Sequence, residues 1–168
     1  MKPQDILVVL KLLSLRKQDW TQAQIADSLL ISAAEMSAVF ERLKKSRFID
    51  ASKQQVRKLA IREFLIHGLK YVFPPQLGTK VRGIATGHSA PPIRQHIIES
   101  EEIYVWKSAK GNRRGIEINP LYKTVPKIVA TDPELYELLV IVDTLRIGKV
   151  REIEIAIAEL DKKLEDVC

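Results

Sequence analysis

His67, His88 and His96 are the only histidines of the chain, and Cys168 is its single cysteine. Their spacings fit no common zinc pattern, and no cysteine lies near a histidine. GHSAPP sets Ser89 beside His88, but neighbours in sequence seldom form a nucleophile–base pair, and no nucleophile elbow surrounds them. The glycines of LGTKVRGIATG lack the Gly-Lys-Ser/Thr that a phosphate-binding loop places after them. No carboxylate cluster suited to metal-dependent nucleic-acid cleavage is visible either. The sequence therefore carries no enzyme signature, no catalytic residue, no metal site and no cofactor motif. What its reactive side chains offer is positive charge in groups: Arg42, Lys44, Lys45 and Arg47 in one run, and Lys110, Arg113 and Arg114 in another. Such groups hold phosphates.

The distribution of charge supports this emphasis. The chain has 168 residues and a formal charge of +6. Residues 1–50 hold 8 basic and 6 acidic groups (+2), residues 51–128 hold 14 and 5 (+9), and residues 129–168 hold 5 and 10 (−5). A basic middle points to a polyanion partner, and an acidic end points to a different task. Hydrophobic residues at 46% and charged residues at 29% are ordinary for a globular chain. No apolar run reaches the roughly 18 residues that span a bilayer, so no membrane role is expected. MKPQDILVVLKLLSL is interrupted by Asp5 and Lys11 and reads as a helix, not a signal peptide. One cysteine gives no disulfide framework, which fits a reducing cytoplasm.

The elements that must position these groups follow from periodicity. Residues 3–16 read as a helix with Ile6, Val9, Leu10 and Leu13 at i, i+3, i+4 and i+7. Leu7, Val8, Leu12 and Leu15 make it apolar on almost every side, so more than one neighbour must cover it. Thr21 with Gln24, and Ser32 with Glu35, read as two capping boxes opening a second and a third helix. The third runs from Ala33 to about Ser46, with Met36, Val39, Phe40 and Leu43 as its apolar stripe. Residues 56–69 read as a fourth helix. FPPQLGTKVRGIATGHSAPPI, with three glycines and four prolines, excludes helix and reads as an irregular strap across the helices, or as a loop in which Lys80 and Arg82 meet an anion. Residues 96–128 read as β structure: a hairpin with KGNRRG as its basic tip. Asp132 and Pro133 start a helix as N-cap and N1. Gly148 ends it, and Val150, Ile153, Ile157, Leu160 and Leu164 give a last helix a narrow seam.

The stretch TQAQIADSLLISAAEMSAVFERL poses the functional question. A DNA-reading helix-turn-helix needs a close crossing, a rigid corner and a second helix with a free outer face. Ala26 is small where the helices would cross, and Ile25, Leu29 and Ile31 supply anchors. The outward positions of the third helix are Ala33, Ala34, Ser37, Ala38 and Glu41, followed by Arg42, Lys44, Lys45 and Arg47. Short outward side chains let a helix sit deep in the major groove, and the terminal cations position it on phosphates. Two plain core helices could share much of this pattern.

TQAQIADSLLISAAEMSAVFERLKKSRFI resembles the winged helix-turn-helix of bacterial transcription regulators of the MarR and GntR kind. The resemblance covers about 30 residues, and about 50 with the first helix. It implies sequence-specific binding of double-stranded DNA by a homodimer, with Thr21 and Ser32 on phosphates and Ala33, Ala34, Ser37 and Arg42 facing base edges. The chain departs from the pattern in two ways. Leu30 stands at the corner where glycine is usual, and ASKQQ after the third helix is too short for a two-stranded wing. The later tip with Lys110, Arg113 and Arg114 is then expected as a displaced wing. FLIHGLKYVFPPQLGTKVRGIATGHSAPPI further resembles bacterial winged-helix proteins sometimes encoded beside toxin or defence genes. The expected architecture is α+β and mostly helical: an N-terminal winged helix-turn-helix (1–70), a strap and later basic β-hairpin (71–128), and a C-terminal helical pair for assembly (129–168). The alternative function is an antitoxin-like module that binds a protein partner through its C-terminal helices.

Overall fold

A computed structural model describes residues 1–52, 55–98 and 102–166. It is α+β and mostly helical, as the sequence leads one to expect. Helices α1 (Pro3–Leu15), α2 (Gln22–Leu29) and α3 (Ala33–Lys45) open the chain. Then come α4 (Lys58–His67) and the single turn α5 (Leu69–Val72). Strands β1 (Leu77–Thr86), β2 (Tyr104–Lys107) and β3 (Arg113–Ile118) precede the short α6 (Val125–Ile128), α7 (Pro133–Ile147) and α8 (Val150–Glu165). Among the described residues no single helix is long and apolar enough to cross a membrane.

The apolar first helix finds its cover inside the chain. Ile6 to Leu10, Leu12 and Leu13 are all buried, and α1 packs on α2 and α3 and also on α7. α7 is itself buried over Leu138–Arg146, so two apolar helices lie back to back and one core runs from α1 to α8. Its start is as read: Asp132 Oδ1 accepts the Leu135 amide at 3.1 Å, and Asp132 also receives Lys11 Nζ at 2.6 Å. The α8 seam is likewise used internally. Leu160 and Leu164 are buried and Ile153 and Ile157 partly so, with α8 packed on α7, and only Val150 at its start is well exposed. The apolar faces of α1 and of the C-terminal pair, which was expected to serve assembly, therefore pack largely on the chain's own helices.

The middle of the chain corrects two expectations. The Gly/Pro-rich segment is not an irregular strap: residues 77–86 form β1, the longest strand of a small closed barrel. KGNRRG does not cap an antiparallel hairpin. β2 and β3 each run antiparallel to β1, with Ile84 opposite Trp106 and Arg82 opposite Arg114, while β2 and β3 pair with each other in parallel, Tyr104 beside Ile116. The five residues between them carry the chain around β1. That crossing needs backbone without side chains: a Cβ on Gly111 would lie 2.1 Å from the carbonyl carbon of Gly83, and one on Gly83 would lie 2.0 Å from the Trp106 oxygen.

The barrel is pinned to α7 by a buried polar group. Asp143 Oδ2 accepts from Thr86 Oγ1 and from Trp106 Nε1, both at 2.7 Å, and Oδ1 accepts from Arg146 Nη1 at 3.0 Å. Burial pushes the Asp143 carboxyl up, and Arg146 and the two neutral donors oppose that. Arg146 uses its remaining protons on the carbonyls of Phe73 (3.0 Å) and Asn119 (3.3 Å), which anchors both ends of the barrel segment. A buried charge is tolerated only when it is paired and hydrogen-bonded in this way.

Candidate nucleic-acid interface

The corner between α2 and α3 is set by three local devices. Thr21 and Gln24 form a reciprocal capping box: the Gln24 amide donates to Thr21 Oγ1 (3.2 Å), and the Thr21 amide donates to Gln24 Oε1 (2.8 Å). Leu30 then turns the chain in the left-handed region, φ 55° and ψ 43°. Glycine would take this conformation at less cost, so the corner that glycine usually makes is made here by a strained leucine. Ser32 caps α3, with the Glu35 amide donating to its Oγ at 3.2 Å. Glu35 does not return the bond, so only the first of the two expected boxes is complete. The helices meet at 111°, within the roughly 90–120° of helix-turn-helix units, and Ala26 is buried at the crossing.

This geometry leaves the outer face of α3 open. Ala33, Ala34 and Ser37 are exposed, while Met36, Val39, Phe40 and Leu43 point into the core. Lys44, Lys45 and Arg47 are exposed at its end and make no ion pair among the described residues. Arg42, expected at the base edges, is held elsewhere. Its Nε lies 3.0 Å from both oxygens of the buried Asp5 on α1, and its Nη2 reaches Asp5 Oδ1 at 2.8 Å and Glu35 Oε1 at 2.7 Å. Asp5 raises the Arg42 basicity further, and Arg42, with Gln4, holds the Glu35 carboxyl below the ordinary range. Arg42 is thus a clamp that fixes α3 on α1.

Arg47 ends α3 in a second left-handed position, φ 59°. The Phe48 amide donates to Leu43 O (3.0 Å) and the Arg47 amide to Lys44 O (3.1 Å), the paired bonds of a Schellman cap, whose left-handed position is normally glycine. Directly after it the chain makes a short β-bridge, with no two-stranded wing among the described residues. Ile49 bridges Val56, the Arg57 amide donates to Phe48 O (2.8 Å), and the Asp50 amide donates to Gln55 O (3.0 Å). Three backbone links suffice because Phe48 and Ile49 are anchored in the core. Arg57 stands exposed at its base. The sequence left no room for a two-stranded wing here, and this single bridge between the β-branched residues Ile49 and Val56 is what the chain forms instead.

No family model, curated protein or solved structure matches the chain.

The second expected group sits apart from the first. Lys110, Arg113 and Arg114 lie on the barrel crossing, and the barrel packs on α7, not on α3. The structure gathers Thr21, Ser32, Ala33, Ala34, Ser37, Lys44, Lys45 and Arg47 on one helix-turn-helix unit, and leaves these three on another. With the barrel packed on α7, these cations are not set beside α3 as a displaced wing would be. Among the described residues no cluster of His, Cys, Asp or Glu could hold a metal ion.

Proposed function

We propose that this protein is a cytoplasmic, sequence-specific double-stranded DNA-binding transcription regulator that reads the major groove with α3. The observation that carries the reading is the 111° corner, which supports α3 with an exposed face of Ala33, Ala34 and Ser37 ending in the exposed cations Lys44, Lys45 and Arg47. Short side chains at the helix start allow close approach to base edges, and the cations grip the flanking phosphates. The strain at Arg47 supports the same reading. Glycine would relax this cap, so an arginine held there is consistent with a charge needed in that place. The Asp5–Arg42 clamp holds the reader at a fixed angle on the core.

Selection of bound duplexes from a random library tests the proposal, followed by titration of the selected sequence against a mixed-sequence duplex. Acting as a homodimer, the protein would set two readers about one DNA turn, roughly 34 Å, apart and select an inverted repeat. With α1 and α8 covered within the chain, such copies would meet through another face, and a single half-site among the selected sequences would mark a monomeric reader. Ser37→Glu places a carboxylate at the groove floor and is expected to abolish selective binding while the melting temperature holds. A folded Ser37→Glu protein that binds the selected site like wild type removes α3 as the reader.

A further inference from the structure

The barrel carries a cluster of charge that the α3 reading does not use. Arg82 on β1 and Arg114 on β3 are direct cross-strand partners, so their side chains leave the same face. Opposed residues in an antiparallel pair have Cβ atoms about 4.5–5.5 Å apart, and like charges so placed repel. Arg113 follows opposite Gly83, and the three arginines surround a surface depression floored by Gly111 and Asn112. Lys107 at the end of β2 and Lys110 on the crossing are also exposed. None of these five cations makes an ion pair among the described residues, although the chain pairs Arg42, Arg62 and Arg146 with carboxylates elsewhere. Two arginines set side by side, with no carboxylate paired to them among the described residues, are arranged to receive an anion.

The lining decides the class of anion. Arginine, asparagine and exposed backbone are groups that contact phosphates, and the depression contains no apolar residue on which a protein partner could build a buried interface core. We propose that the barrel face around Arg82, Arg113 and Arg114 is a second nucleic-acid surface, which binds the phosphodiester backbone of duplex DNA without reading its sequence and independently of α3. This rests on the reading of the chain as a DNA-binding protein. It adds a distinct surface: α3 packs on α1 and α2, the barrel packs on α7, and α1 and α7 pack on each other, so two helices stand between the reader and the patch.

The experiment titrates a mixed-sequence 30-base-pair duplex, by fluorescence anisotropy across a salt series, with four full-length proteins: wild type, Ser37→Glu, Arg82→Gln with Arg114→Gln, and the triple variant. Relief of the Arg82–Arg114 repulsion means the double variant melts no lower than wild type, which verifies its fold. The Ser37→Glu protein is expected to keep salt-dependent binding of the mixed duplex. Adding the two barrel changes then flattens the plot of log affinity against log salt by about 1.8, or roughly 0.9 for each lost phosphate contact. An unchanged slope on adding them overturns the proposal, as does loss of all mixed-duplex binding in Ser37→Glu alone. Polyglutamate bound by the Ser37→Glu protein as tightly as the duplex also overturns it, and makes the patch a dock for acidic protein. The α3 reading fails separately, through wild-type binding of the selected site by Ser37→Glu, and that outcome leaves the barrel result standing.

Discussion

Replacing Arg47 by glycine is expected to move stability and DNA binding in opposite directions. Arg47 sits at φ 59° in the cap of α3, its side chain exposed and without an ion pair among the described residues. The substitution therefore removes little contact energy and acts on the backbone. A left-handed conformation costs an L-residue about 1–2 kcal/mol. Glycine returns about 0.5–1 kcal/mol of that through its greater freedom in the unfolded chain. The net gain is about 0–1.5 kcal/mol, centred near 0.75. At about 2–4 °C per kcal/mol for a domain of this size, the melting temperature should rise by about 2 °C and by no more than about 6 °C. If Arg47 touches a phosphate, the same change flattens the salt slope by about 0.9. Thermal melting by circular dichroism reads the first effect, and anisotropy titration of the selected duplex between 50 and 200 mM salt reads the second. A lower melting temperature would refute the strain argument. An unchanged slope would take Arg47 off the DNA.

Asp5→Ala, Arg42→Ala and their combination form a double-mutant cycle, in which urea unfolding should show coupling of about 1.5–3 kcal/mol for the charge-assisted fork. Coupling under about 0.5 kcal/mol would disprove the clamp, and a flatter salt slope in Arg42→Ala would put that guanidinium on DNA after all. Trp106→Phe removes the indole donor at 2.7 Å from the buried Asp143 carboxyl and should lower stability by at least about 1.5 kcal/mol, seen as a lower urea midpoint at constant m-value. Arg62 hydrogen-bonds Asp161 and holds its carboxyl below the ordinary 3.8. That contribution is whole above 3.8 and is lost as pH falls through the lower folded value, so Arg62→Met should flatten the fall in stability on the acid side of about pH 4. Parallel acid limbs for the two proteins would exclude the pair from acid sensitivity.

The helices were legible because two independent signals coincided in each. In α2, α3 and α7 a cap residue stands just before a 3.6-residue apolar period, and Thr21, Ser32 and Asp132 all cap as their types imply. The exposure of Ala33, Ala34 and Ser37 followed from the same period. β1 was hidden for the opposite reason. In so small a barrel its N-terminal half is exposed on both faces and its C-terminal half is partly buried on both, so no alternation marks it, and its glycines serve crossings instead of turns. KGNRRG read as a hairpin tip because local sequence reports that a chain turns, but not which strand the returning segment pairs with. Arg42 illustrates another limit: a helical wheel gives the direction of a Cβ, whereas the guanidinium at the end of that side chain follows the nearest carboxylate, and Asp5 lies 37 residues away in sequence.

The packing of α1 has a consequence during synthesis. Of the helices described, α1 leaves the ribosome before the rest, and α2 and α3 follow soon enough to cover one side of it. The cover for its other side, α7, starts at Pro133, 118 residues after Leu15 (133 less 15). At about 5–20 residues per second that interval is roughly 6–24 s. For that time the nascent chain shows a leucine-rich stripe that nothing of its own can yet hide. A chaperone that binds apolar segments would find its target there, and a ribosome stalled anywhere within β1 to α6 would display the unit of α1 to α3 with its back still bare.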